Sequence, residues 1–158
     1  MCKKVAIYPG TFDPITNGHV DIIKRASAIF DKVFIGIAPS ETKKPMFDLL
    51  KRVEMVKLST KKISNIEVIS FDGLLVDCCK NIGSKTIVRG LRAVSDFEYE
   101  LQIGYANASL DSEIDTIYLM PSLESAFISS TVVRDILRHK GNVKHLIPKE
   151  IVDHVYSI

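Results

Sequence analysis

Five short runs dominated by β-branched and aromatic residues, at positions 5–8, 33–37, 66–69, 86–88 and 116–119, recur along the chain with helical stretches between them. Four of the five are nearly continuous in apolar character, the pattern of strands covered on both faces. The stretches between carry a helical period. Val20, Ile23, Ala26 and Phe30 share one face, as do Leu49, Leu50, Val53 and Val56 in the next segment. Strand and helix in alternation, joined by right-handed crossovers, predict an α/β chain: a Rossmann-like, doubly wound, five-stranded parallel sheet. The helix punctuation agrees. Asp48 is placed to cap the second helix, Gly83 to end a helix in the left-handed conformation, Ser95 with Glu98 to form a capping box, and Pro148 to open a last helix carrying Ile151, Val152 and Val155.

No repeat, linker or low-complexity segment divides the 158 residues, 46% of them hydrophobic, so residues 1–158 read as one domain around one core. A formal charge of +2 with 25% charged residues argues against a uniform basic face and hence against a nucleic-acid partner. No stretch approaches the roughly 18 consecutive apolar residues of a membrane span, and the amino terminus runs into the first strand without a signal-type apolar region. The expectation is a soluble, cytoplasmic protein. Cys2, Cys78 and Cys79 lack the C-x-x-C spacing of a metal or redox pair and read as reduced thiols, the last two as ordinary apolar helix residues.

Open parallel sheets bind ligands beyond the carboxyl ends of their strands. The loops there are 10–19, 39–45, 71–73, 89–96 and 121–131, and every unusual motif of the chain falls in one of them. The first loop ends in a helix expected to start at about Gly18 or His19. Free amides and the helix dipole at that tip favour an anion, Gly18 admits it close to the main chain, and the imidazole of His19 can donate to it. A lone histidine would more readily satisfy a loop carbonyl, but the company of Gly10, Thr11 and Gly18 after the first strand favours the anion. Ser129, Ser130 and Thr131 open the last long helix as a second anion site; capping needs one hydroxyl and leaves two without a structural task. Arg134, one turn along, suits either phosphate or solvent.

Arg89 and Arg92 flank Gly90 in the fourth loop, and guanidinium forks match phosphate oxygens. Lys43 and Lys44, between Pro39 and Pro45, add a cationic loop, in which Lys44 reads better as a solvated surface residue, whereas Lys51, Arg52, Lys57, Lys61 and Lys62 fit a solvated helix face. The chain lacks a serine elbow, clustered carboxylates, a cysteine beside a histidine, a G-x-x-x-x-G-K-[ST] loop and the G-x-G-x-x-G spacing. No protein-built metal site is expected. What remains can align two phosphate groups and stabilise the charge that develops between them.

These residues resemble a known family. GTFDP at 10–14 with TNGH at 16–19 resembles the [HT]-x-G-H signature of the nucleotidyltransferase superfamily, and ISSTVVR at 128–134 resembles its partner motif I-S-S-T-x-x-R. YPGTFDP at 8–14, KKPMF at 43–47, RGLRA at 89–93 and DFEYE at 96–100 are similar to the bacterial phosphopantetheine adenylyltransferase family, over nearly the whole chain. The resemblance implies attack by the 4′-phosphate of phosphopantetheine on the α-phosphorus of ATP, giving dephospho-coenzyme A and pyrophosphate, with magnesium accompanying the nucleotide.

Carried over by position, the resemblance makes His19, Lys43, Arg92 and Thr11 the catalytic set, with His19 on the α-phosphate. Thr11, Lys43, Leu75 and Arg89 hold the acceptor. Thr11, Phe12, His19, Gly90, Leu91, Arg92, Glu100 and the run Ser125, Ala126, Phe127, Ile128, Ser129, Ser130 and Thr131 line the nucleotide, Arg92 and the last three gripping the β- and γ-phosphates. The family further implies a homohexamer and feedback inhibition by coenzyme A. Ser125 and Ala126 stand where the family usually has an aromatic residue and serine, which implies weaker ATP binding or a local repacking. Two other readings stand beside this one. A nicotinamide-mononucleotide adenylyltransferase or cytidylyltransferase is opposed by the block at 89–100, and a non-catalytic nucleotide-sensing module by the set His19, Lys43 and Arg92.

Overall fold

A computed structural model describes residues 3–39 and 44–157. The order is β1 (Val5–Gly10), α1 (Asn17–Ile29), β2 (Lys32–Ile37), α2 (Leu49–Thr60), β3 (Ile66–Ser70), α3 (Leu75–Ile82), β4 (Thr86–Gly90), α4 (Val94–Leu110), β5 (Asp115–Leu119) and α5 (Ser130–Arg138). A 3-10 turn at Lys149–Ile151 then runs into α6 (Val152–Tyr156). The five strands form one parallel sheet in the order β3-β2-β1-β4-β5. This is the expected α/β, Rossmann-like, doubly wound architecture.

Register explains why the strands read as continuous apolar runs. Ile7 pairs with Phe34 and Ile87, and all three project into a smaller cluster with Val76, Cys79 and Ile114. The next row, in which Tyr8 pairs with Ile35, joins a larger cluster on the other face with Ile23, Met55, Val133, Leu146 and Ile151. Both faces of the inner strands β1, β2 and β4 are therefore covered and cannot carry polar alternation, whereas the edge strands β3 and β5 expose Glu67, Ser70, Asp115 and Ile117. Burial pushes the Cys79 thiol up to about 11, which leaves it protonated and inert among its apolar neighbours.

Local expectations hold unevenly. Asp48 caps α2 through the amide of Lys51 at 2.8 Å, and Gly83 closes α3 with φ of 69°. Pro148 precedes the final 3-10 turn as the cap residue, one position ahead of its first turn. Helix α1 begins at Asn17, earlier than expected, because Thr16 serves as its cap. Two readings are corrected. Helix α4 begins at Val94 behind Ala93, so Ser95 and Glu98 lie inside the helix and form no capping box. The buried face of α2 is Arg52, Met55, Val56 and Thr60, while Leu49 and Leu50 are exposed. A helical period fixes the spacing of a face, but in the first turn of α2 tertiary contacts to Arg52 decide which face turns inward.

Candidate active site

The chain builds outward from β1 to β2 and β3, then returns to lay β4 and β5 on the other side of β1. Loops leaving the carboxyl ends of β1 and β4 consequently diverge, and a crevice opens between them. His19 and the run Ser129, Ser130 and Thr131 line this one hollow from opposite helix tips. The tips are in backbone contact: a Cβ at Gly18 would sit 3.2 Å from the Ile128 carbonyl oxygen and 3.3 Å from that of Ser125. Any larger residue at 18 would force the two motifs apart.

His19 occupies the third position of α1 and completes a capping box with Thr16. Its Nδ1 accepts the Thr16 main-chain N–H at 3.0 Å, while its own amide reaches the Thr16 hydroxyl at 3.4 Å. A main-chain amide can only donate, so Nδ1 is the bare nitrogen and the proton resides on Nε2. The ring is wedged against the edge of Phe12, centroids 5.0 Å apart, with Tyr8 at 6.5 Å. Burial, reinforced by Arg92 and Arg89, lowers its pKa to about 4. At neutral pH it is therefore an uncharged donor with a fixed tautomer, and among the described residues no loop carbonyl takes that donor.

Phe12 is held at φ of 48°, a left-handed conformation that costs a bulky side chain energy. Burial of its ring, 1% exposed, keeps it there. Gly10 is required beside it, since a Cβ at that position would come within 3.0 Å of the ring.

At the tip of α5, Ser129 caps through the amide of Val132 at 3.2 Å, Ser130 donates to the Pro14 carbonyl at 2.8 Å, and Thr131 accepts from Arg134 Nη2 at 3.2 Å. All three hydroxyls thus have structural partners, which corrects the expectation that two lack a task. Amides of the first helical turn, which have no carbonyl behind them within the helix, are what the tip offers an anion. Arg134 turns inward: its Nη1 donates to the Asp13 carbonyl at 2.7 Å and braces the first loop against α5.

Arg89 grips both oxygens of Glu100, at 2.6 Å each, and donates to the Pro9 carbonyl at 3.0 Å. Burial alone would lower its pKa, but the bonds to Glu100 and that carboxylate's charge more than offset this and raise it. Tyr8 beside it is pushed up to about 12, chiefly by burial. Arg92 is 40% exposed and holds Asp96 at 3.2 Å, a pair that water screens and a ligand could displace.

The crevice brings together Thr11, Phe12, His19, Arg89, Gly90, Arg92 and Glu100 from the β1 and β4 side, and Ser125, Ile128, Ser129, Ser130 and Thr131 from the α5 side. Leu91, Ala126, Phe127 and Leu75 are not on its wall. Leu91 spends its amide on Leu119, Phe127 is exposed, and Leu75 packs against the smaller core cluster. Lys43 lies outside the described residues. The wet-face reading of Arg52 is wrong: it is 2% exposed, and burial pushes its guanidinium below its usual range against the opposing pull of Asp13 and Asp48. No sequence signal marked it, because its partners are carbonyls of distant loops. Among the described residues no group of three or more potential ligands could hold a metal ion, and no helix is long and apolar enough to cross a membrane.

Comparison with known proteins places this geometry. Residues 7–136 match the family model described as cytidylyltransferase-like. The chain is 65% identical to the phosphopantetheine adenylyltransferase of Nautilia profundicola, with 93% of this chain and 96% of that protein covered. It is 59% identical to that of Campylobacter concisus, covering 97% and 98%, and 58% identical to that of Helicobacter hepaticus, covering 99% and 94%. A candidate nicotinate-nucleotide adenylyltransferase from Vibrio parahaemolyticus, solved by crystallography, superposes with a TM-score of 0.76 at 18% identity over 98% of this chain and 99% of that one, a likeness of fold alone. A parallel sheet with its crevice at the β1/β4 reversal, two helix tips meeting there, and relatives this similar over their full length lead to one conclusion: the chain belongs to the phosphopantetheine adenylyltransferase family of cytidylyltransferase-like nucleotidyltransferases.

Proposed function

We propose that this protein transfers the adenylyl group of ATP to the 4′-phosphate of phosphopantetheine. An oxygen of the acceptor phosphate bonds to the α-phosphorus, the bond from that phosphorus to the bridging oxygen breaks, and its electron pair leaves with pyrophosphate. The attacking phosphate is already anionic near pH 7, so no general base is required. The observation that carries the reading is the neutral, Nε2-protonated His19 in a crevice shared with the α5 tip. A donor fixed by a main-chain bond needs no reorganisation as charge grows on the α-phosphate oxygens.

Thr11 and Lys43 hold the acceptor phosphate beside it, with Arg89 and Leu75 on the acceptor side. Arg92 and the tip at Ser129, Ser130 and Thr131 take the β- and γ-phosphates, and Phe12, Gly90, Leu91, Glu100 and the run Ser125, Ala126, Phe127 and Ile128 surround the nucleotide. Glu100, the crevice carboxylate, is already engaged by Arg89. Magnesium bound mainly by phosphates and water fits that donor set, and it supplies charge neutralisation on the triphosphate. The protein acts in the cytoplasm as a homohexamer under feedback by coenzyme A. Exposed Tyr99, Ile103, Tyr105 and Leu110 on α4 support self-association.

A coupled pyrophosphate-release assay offering phosphopantetheine, nicotinamide mononucleotide and glycerol phosphate in turn tests the assignment. Turnover with phosphopantetheine is expected. Turnover only with one of the others rejects the acceptor, and ATP binding without any turnover rejects the enzyme.

A further inference from the structure

Arg52 has no place in the reaction just described, yet three segments at the crevice rim converge on it. Its Nη1 donates to the carbonyl of Thr11 at 2.6 Å and to that of Ala38 at 2.9 Å, and its Nε donates to that of Phe47 at 3.2 Å. These carbonyls belong to the loop leaving β1, the loop leaving β2 and the turn entering α2. Asp13 adds links of the opposite polarity, its two carboxylate oxygens accepting the amides of Met46 and Phe47 at 2.9 Å each. A planar guanidinium holds its donors at fixed angles, so it sets the separation of the carbonyls it bridges, which a flexible ammonium does not.

We propose that Arg52 is a positioning residue for adenylyl transfer. It holds Thr11, and the chain on either side of residues 40–43, at the distance from the nucleotide that in-line attack requires. The inference rests on the reading of the crevice as an adenylyl-transfer site. Among the described residues its bonds reach none of His19, Arg92 or the α5 tip, so its loss acts on the acceptor side.

The test compares Arg52→Lys, which keeps the charge but loses the fork, with Arg52→Met, which loses both. In Arg52→Lys the KM for phosphopantetheine should rise on the order of 10-fold and kcat fall by a similar factor, while the KM for ATP stays within about 3-fold. Arg52→Met should show the same split, enlarged. Hydrogen exchange at the Met46 and Phe47 amides should quicken in Arg52→Lys while the β1 and β4 amides keep their wild-type rates, a readout that needs no substrate. Unchanged kinetics, or a reduced fraction of active enzyme with both KM values intact, would overturn the proposal. So would failure of both variants to fold, which would assign Arg52 to the scaffold alone. If the wild-type protein turns over a different acceptor, the functional reading fails, and the same KM split is then measured with that acceptor.

Discussion

The two flanks of the sheet are finished differently. On the side of β1, β2 and β3, α2 and the carboxyl-terminal segment close over a large apolar cluster, with Ile23, Ile35 and Met55 fully buried, and α1 carries that cluster across to Val88 of β4. On the side of β4 and β5, Glu100 is the one buried residue among the described side chains of α4. That helix is moored by the Arg89–Glu100 pair and by the Tyr118 hydroxyl, which donates to the Glu100 carbonyl at 2.9 Å. Phe97 packs edge-on against Tyr118, but most of the helix's large apolar residues are exposed, Tyr105 at 70%. One flank is stabilised by its own packing; on the other, β4 joins the core through Ile87 and Val88, while the outer helix α4 relies largely on a polar mooring beside the crevice and presents the surface expected of the proposed assembly.

Deleting an isoleucine side chain on each flank separates the two most clearly. Ile35→Ala in β2 should cost about 3 kcal/mol in urea unfolding, whereas Ile117→Ala in β5, 37% exposed, should cost less than about 1 kcal/mol. Equal losses would erase the distinction. Next in size, His19→Ala should lower kcat on the order of 100-fold, about 2.7 kcal/mol, with a smaller change in KM; near-normal kcat would remove the imidazole from the reaction.

The same variant sharpens the acid response. Because the folded pKa of His19 is about 4, below the ordinary value of 6.5, the unfolded chain binds its proton first. The stabilisation from this group is complete above about pH 6.5 and is lost as pH falls toward 4. Melting temperature over that interval should fall less steeply in His19→Ala than in the wild type. Glu100→Gln, which unties the mooring, should cost about 2 kcal/mol and speed amide exchange in α4 before β2. Smallest on the protomer, Tyr105→Ser should change stability by less than about 0.5 kcal/mol. It should nonetheless reduce the sedimentation coefficient, and an unaltered oligomer would show that the exposed face serves something else.

The same contrast governs what could be read in advance. The strands β1 and β2 are legible because two covered faces demand unbroken apolar runs, and the helix tips because phosphate chemistry needs glycine, hydroxyl and imidazole at fixed spacing. Residues whose roles depend on distant backbone were not legible. Arg52 looks like any helix lysine until Thr11, Ala38 and Phe47 converge on it. Leu49 and Leu50 share a helical period with Val56, which is buried, yet the fold leaves both leucines exposed. The hydroxyls of Ser130 and Thr131 appear unassigned until the first loop and Arg134 arrive beside them.

His19 spends one ring nitrogen on opening α1 and thereby aims the other. Selection for a sturdy protein and selection for a working one therefore press on the same atoms. A lineage drifting toward inactivity at this position would fray its first helical turn as well, and an engineer seeking heat tolerance has no reason to trade it away.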